Sequence, residues 1–236
     1  MELNGARALV TGAGRGIGAT IALALAGSGC RLVLAARTES ELEEVAAGIL
    51  ATGQKAVIVP TDLTRPDQVH ALAARVEKEF GGVDILINNA GGAIFRPVIE
   101  TSESEFERTI ELNLTSVFRL TRALLPGMLA RRRGHIVMIA STAARRGFAN
   151  GSAYVAAKFG LNGFAQSLFY EVRGSGLRVT TLFPSSVNTD LMRNLGPGQN
   201  LDRMIQAEDI ALAVLAALRT DDRATIKEIE VWGTNP

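Results

Sequence analysis

Tyr154 and Lys158 stand four residues apart in a segment of helical periodicity, so their side chains share one face. A Lys ammonium beside a phenol favours the phenolate and lowers a pKa that begins near ~10. A phenol tuned in that way exchanges a proton with a carbonyl or an alcohol near neutral pH. Ser141 follows the apolar run His135–Ala140, at the edge where ligands of an open parallel sheet sit. A second signal lies near the start, Thr11-Gly12-Ala13-Gly14-Arg15-Gly16-Ile17-Gly18, between an apolar run and a helical segment. Glycines there let the chain turn sharply and approach a pyrophosphate, while the helix N-terminus offers free N–H groups to its charge.

The second apolar run ends in Leu34-Ala35-Ala36-Arg37-Thr38-Glu39. Dinucleotide sites that prefer NAD usually place an acid here for the ribose 2′-hydroxyl. Ala36 occupies that place and Arg37 follows it, a guanidinium able to hold a 2′-phosphate bidentately. Arg15 adds a second positive group. A solvated strand-end arginine reads the same way, and Glu39, past the cap, complements a helix dipole. The expectation is NADP in preference to NAD.

These groups need elements to hold them. Short apolar runs recur at Ala6–Thr11, Arg31–Ala36, Ala56–Pro60, Val83–Asn88, His135–Ala140, Arg178–Phe183 and Ile226–Trp232. Most are nearly continuous rather than alternating, as in parallel strands buried on both faces. Helical segments lie between them: Gly16–Ser28, Glu39–Thr52, Pro66–Phe80, Ser104–Arg133, Ser152–Gly174 and Glu208–Leu218. Thr38 with Glu41 fits a capping box, and Thr64 with Pro66 and Asp67 fits a cap, a first-turn proline and a first-turn acid. Alternating β-α-β units predict right-handed crossovers and a three-layer α/β sandwich. The stretch Asn188–Gln206, rich in Asn, Gly, Pro and Met, reads as a substrate lid or as an ordinary surface connection.

Composition narrows the classes. The 236 residues and 25.0 kDa suit one domain spanning 1–236, with 47% hydrophobic residues for a core. Twenty-five basic against 24 acidic residues leave a net charge of +1, too balanced for bulk-charge binding to nucleic acid or anionic membrane. Cys30 is alone, and neither His70 nor His135 has a partner at metal-ligand spacing, so no disulfide and no metal are expected. The start, MELNGARALVTG, has no secretory pattern and no 18-residue apolar run exists, so the expected location is cytoplasmic.

Taken together, these residues resemble the short-chain dehydrogenase/reductase family, over essentially the whole chain. The resemblance rests on TGAGRGIG, Asp62, NNAG at Asn88–Gly91, Asn113, Ser141 and Tyr-x-x-x-Lys at 154 and 158, in the family's order and spacing. It implies a single-domain Rossmann fold with a seven-stranded parallel sheet and three helices on each face. It implies Tyr154 as general acid in reduction, Lys158 lowering its pKa and meeting the nicotinamide ribose, and Ser141 polarising the substrate carbonyl. Asn113 would hold a water of a proton relay behind Lys158. For the cofactor it implies Gly12, Gly14, Arg15, Gly16, Ile17, Gly18, Arg37, Asp62 and Leu63, with Asn88, Ala90 and Gly91 beside the central strand. Asn88 also reads locally as a turn former. Pro184, Val187 and Thr189 match the segment that holds the carboxamide, but Ser185 stands where the family commonly has Gly, which alters the pocket.

Within the family the likeness is to 3-oxoacyl-[acyl-carrier-protein] reductases and small carbonyl reductases, which implies NADPH reducing a carbonyl, small or carrier-bound. Arg131-Arg132-Arg133 matches one carrier-docking place, although arginines at a helix C-terminus also suit its dipole. The same resemblance implies a homotetramer with Ser104–Arg133 and Ser152–Gly174 at one interface. An NADP-binding sensor without turnover is the alternative, and the full Asn113/Ser141/Tyr154/Lys158 set speaks against it. Apolar Ile94, Phe95, Phe148, Leu191 and Met192 point to a hydrophobic ketone, Arg145 and Arg146 to an anionic tail.

Overall fold

Runs of Val, Leu, Ile and Ala with no polar alternation are stable as strands only where both faces are covered. The computed structural model, which describes residues 1–190 and 203–234, covers them in that way. The strands are β1 (Arg7–Thr11), β2 (Arg31–Ala36), β3 (Ala56–Pro60), β4 (Ile85–Asn88), β5 (Gly134–Ile139), β6 (Leu177–Pro184) and β7 (Glu228–Val231). All pair in parallel in the order β3-β2-β1-β4-β5-β6-β7. Strand order reverses between β1 and β4, and such a switch point opens a crevice beyond the strands' carboxyl ends.

The helices are α1 (Gly16–Gly27), α2 (Glu39–Leu50), α3 (Pro66–Phe80), α4 (Glu103–Ile110), α5 (Ser116–Arg131), α6 (Ser152–Val172) and α7 (Ala207–Arg219). On one face α1, α2 and α7 bury Ile21, Leu25, Leu42, Ile49, Ile210 and Val214 against the sheet. On the other, α3, α5 and α6 bury Val76, Leu120, Leu124, Leu161 and Leu168. With α4 and α5 forming one rod, three helices lie on each face of the sheet, giving the expected three-layer α/β sandwich. No helix among the described residues is long and apolar enough to cross a membrane.

Local expectations change in four places. The segment Ser104–Arg133 is not one regular helix, because residues Glu111–Thr115 form a π-turn in which the Ser116 N–H donates to the Glu111 carbonyl. Thr38 is the N-cap of α2, yet its side chain makes no capping bond, and the Glu41 side chain lies against Gly14 instead of closing a capping box. Arg65 rather than Thr64 caps α3, and the Thr64 hydroxyl donates to Asp62 at 2.7 Å. Strand ends move by one or two residues, the last shortening to Glu228–Val231 where the edge runs out of partners. The stretch 188–206 is described only at its ends, which are tied: Asn188 N–H donates to Ile205 C=O at 2.8 Å. Leu191 and Met192 lie outside the described residues.

Candidate active site

The glycine turn leaves β1 for α1 through positive φ at Gly12 (62°) and Gly16 (54°), where a side chain would strain the backbone. A Cβ on Gly12 would sit 2.9 Å from Ala90 Cα, and one on Gly18 would overlap the Gly12 carbonyl. The turn is therefore pressed between α1 and the end of β4. Asn89 holds it there, donating from Nδ2 to the carbonyls of Thr11 (2.9 Å) and Gly12 (3.2 Å). The Thr11 hydroxyl donates to Ile87 C=O and accepts the N–H groups of Asn89 and Ala90. Arg15 is the N-cap of α1 without a side-chain capping bond, and no acid occupies the first turn. The helix thus presents N–H groups that no protein anion caps, which is what a phosphate requires.

One cavity begins at this turn. Gly12, Gly14, Arg15, Arg37, Asp62, Leu63, Ala90 and Gly91 line it, so eight of the expected cofactor residues meet in one place. Glu41 and Arg108 line it too. Burial pushes the Asp62 carboxyl up, but hydrogen bonds from Thr64 and the charges of Arg37 and Arg108 outweigh it and hold it low. Glu41 approaches the bare Gly14 (2.9 Å to a Cβ placed there) and lies 3.9 Å from Arg15 Nε. Arg15 also donates to Asp190 at 2.8 Å. Asn88 is different: its side chain is buried, donating to Thr121 Oγ1 and Met138 Sδ, and it lines neither this cavity nor the next. The residue beside it, Asn89, bears on the turn. A dinucleotide fits this cradle, with uncapped helix N–H groups for its pyrophosphate and Arg37 for its ribose end.

The second cavity, about 650 Å³, follows β5 and β6 and has the size of a small-molecule site. Ser141 and Tyr154 line it together with Ile17, Pro184, Ser185, Val187 and Thr189. Ser141 starts the short turn Thr142–Ala144, accepts the Ala143 N–H at 3.1 Å and stands close enough to Tyr154 to favour its phenolate. Phe95 packs against Tyr154 and Phe148, with both ring-centroid distances 5.8 Å. Burial raises the pKa of Tyr154, and nearby Ser141 only partly opposes it. The phenol therefore stands above its ordinary value, opposite to the lowering expected from Lys158, which is not among the causes of the shift. Lys158 is itself buried, its Nζ 5.6 Å from the Tyr154 ring centroid and donating to Ile139 C=O at 3.1 Å, and burial brings its pKa down to about 8.

Asn113 sits in the π-turn, fully buried, donating to Gly92 C=O (2.8 Å) and Thr109 C=O (2.9 Å). A Cβ on Gly91 would lie 2.8 Å from Asn113 Oδ1 and 3.6 Å from Lys158 Nζ, so Gly91 separates the two groups. A π-turn inside an α-helical rod is a frequent mark of a functional site.

The arginine run lies elsewhere. Arg131 donates to the carbonyls of Gly81 (3.2 Å) and Val83 (3.0 Å), and Arg133 Nε is 4.0 Å from Asp84. These groups occupy the amino-terminal edge of the sheet, opposite Ser141, so within one chain they do not border the cavity. Glu41 and Asn89 are the site residues that sequence reasoning missed. Glu41 was masked by its cap-like spacing, and Asn89 by the equal claim of the Asn before it.

Comparison with known proteins agrees with this geometry. The family model described as short chain dehydrogenase matches residues 6–200. The chain belongs to the short-chain dehydrogenase family. This dehydrogenase is accordingly an oxidoreductase, and its seven-stranded α/β fold is the family's. It is 36% identical over 234 residues to the 3-oxoacyl-[acyl-carrier-protein] reductase FabG of Escherichia coli, covering 96% of this chain and 94% of that one. It is also 36% identical to glycine betaine reductase ATRR of Emericella nidulans, but spans only 18% of that much longer protein. A crystal structure of a metagenomic short-chain oxidoreductase in complex with NADP superposes with a TM-score of 0.88, at 36% identity, covering 100% of both chains.

Proposed function

We propose that this dehydrogenase is an NADPH-linked carbonyl reductase, working on a small or a carrier-bound ketone and reversibly as an alcohol dehydrogenase. The observation that carries the reading is that Ser141 and Tyr154 line one cavity together, with buried Lys158 behind Tyr154. NADPH, when bound, supplies the hydride for the carbonyl carbon. Tyr154 gives its proton to the carbonyl oxygen, and Ser141 donates a hydrogen bond where negative charge develops. Burial keeps the phenol protonated, the form a reductase needs at the start of its cycle. Lys158 stands behind to return a proton to Tyr154, and Asn113 fixes the backbone that shapes this path. Pro184, Val187 and Thr189 border the nicotinamide end, Ile17 the same wall.

NADPH in preference to NADH is supported by Arg37 in place of a carboxylate, and by the bound NADP in the metagenomic relative. Glu41 in the same cavity works against it, and Arg15 offsets Glu41. The likeness to FabG supports a 3-oxoacyl substrate.

The test is the rate of NADPH and NADH oxidation against a 3-oxoacyl thioester, an α-diketone and an aromatic ketone. The expected result is a preference for NADPH that falls about 10- to 100-fold in Arg37→Ala, the worth of one charge-assisted phosphate contact. Equal use of both nucleotides by the unaltered enzyme contradicts the preference.

A further inference from the structure

The cavity that holds Ser141 and Tyr154 is lined by a single charged side chain among the described residues, Arg146. Its neighbour Arg145 is fully engaged: it pairs with Glu228, lies 3.5 Å from Glu230 Oε1 and stacks over Phe183 at 4.1 Å. The Arg146 side chain makes no ion pair or hydrogen bond among the described residues, and its backbone N–H donates to Thr142 C=O at 3.3 Å. Its guanidinium carbon lies 4.9 Å from the centroid of the Trp232 ring. The indole is itself tethered, donating from Nε1 to Glu230 at 3.1 Å. Glu230 is thus occupied by Arg145 and Trp232, and among the described residues no carboxylate pairs with Arg146.

A guanidinium held through its face keeps its edge donors available, and those donors match the two oxygens of a carboxylate or phosphate. Phe95 and Phe148 line the same cavity, with Phe95 packed on both Phe148 and Tyr154, an apolar wall suited to a flat or hydrocarbon body. Arg146 exposed on a flat surface would be ordinary, but here it borders the space next to the reacting hydroxyls.

We propose that Arg146, carried on Trp232, reads an oxyanion at the far end of the substrate, so that the site takes ketones with an apolar body and a terminal carboxylate or phosphate. The inference rests on the carbonyl-reductase reading for the position of the carbonyl, beside Ser141 and Tyr154. Trp232 is the chain's one tryptophan, so its fluorescence reports directly on this corner, with or without turnover.

The experiment compares 4-acetylbenzoate and 4-acetylphenyl phosphate with the neutral 4-acetylbenzamide, in the full chain and in Arg146→Gln. Two quantities are read: the change in Trp232 emission on titration without nucleotide, and kcat/KM with NADPH. The account expects both anions, and not the amide, to change the emission saturably in the unaltered protein and not in Arg146→Gln. It expects the anionic-over-neutral ratio of kcat/KM to fall about 10- to 100-fold in the variant, mostly through KM. Whichever anion loses more identifies the group that is read. Anion-dependent emission without NADPH oxidation on any ketone supports the anion site and overturns the reductase reading instead. Reduction of all three ketones with no anionic preference, or a preference that survives in Arg146→Gln, overturns the proposal and leaves the reductase reading intact.

Discussion

At the scale of single residues the site is governed by burial. Lys158, with its pKa brought down to about 8, is a cation below that pH and neutral above it. Tyr154, pushed up by burial, holds its proton throughout the same range. Because kcat/KM follows the free enzyme's ionisations, reduction is expected to decline as pH rises through about 8, while oxidation of the alcohol gains. Profiles of kcat/KM in both directions check this, and a reduction rate flat across that pH contradicts it. Glu41 gives a second expectation. With its carboxylate in the cavity of Arg37, Glu41→Gln is expected to tighten NADPH several-fold and leave NADH nearly unchanged, read as equilibrium binding of each nucleotide. Sequence spacing located Tyr154, Lys158, Ser141 and the glycine turn, because each depends on a local period or a local turn. It could not tell Asn88 from Asn89, since a strand's alternation decides which of two adjacent side chains faces the core. Nor could it anticipate that Glu41 leaves its cap for Gly14, a contact made possible by a missing Cβ on another element.

At the scale of elements, two irregularities position the chemistry. The first is the glycine turn, where α1 presses on the backbone of residue 12. A methyl at Gly18 overlaps the Gly12 carbonyl, so Gly18→Ala is expected to cost roughly 1–3 kcal/mol of stability and to weaken nucleotide binding as the turn opens. A denaturation midpoint and a nucleotide titration measure both effects, and unchanged binding contradicts the cradle. The second is the π-turn at Glu111–Thr115, which brings Asn113 under Gly92. Removing its amide in Asn113→Ala leaves the carbonyls of Gly92 and Thr109 without that donor, an expected loss of about 1–3 kcal/mol in a denaturant titration. The alternation of apolar runs and helical segments made every strand and nearly every helix legible beforehand. The π-turn was not, because inserting one residue into a helical rod barely disturbs its apolar period.

At the scale of the whole molecule, the buried imidazole of His135 sets acid stability. The Thr180 hydroxyl donates to Ile226 C=O, so His135 Nε2 carries the proton in their 2.7 Å bond, and Nδ1 has no partner among the described residues. Burial, with the positive charge of Arg178 and the amino terminus, brings the His135 pKa down to about 3. Between the ordinary value of 6.5 and that value the unfolded chain binds a proton the folded chain refuses, so stability falls as pH drops. The slope approaches about 1.4 kcal/mol per pH unit, and His135→Gln is expected to flatten it in a thermal series. Exposed Phe118 and Phe159 on α5 and α6 support the proposed assembly of several copies, which a sedimentation mass in units of 25.0 kDa tests. Alternation and handedness make the three-layer sandwich legible, while the seven-stranded Rossmann sheet is implied by the family resemblance. The substrate is not legible, since the walls that choose it come from loops with little sequence pattern.

The central claim is that Tyr154 supplies the proton to a carbonyl beside bound NADPH. Its most direct test is a single-turnover measurement in which NADPH-loaded protein, unaltered and Tyr154→Phe, is mixed with a ketone and nicotinamide absorbance is followed. The account predicts consumption of NADPH by the unaltered enzyme, with turnover in the variant lower by roughly 10²–10⁴-fold and nucleotide binding retained. Consumption by Tyr154→Phe at the unaltered rate contradicts it.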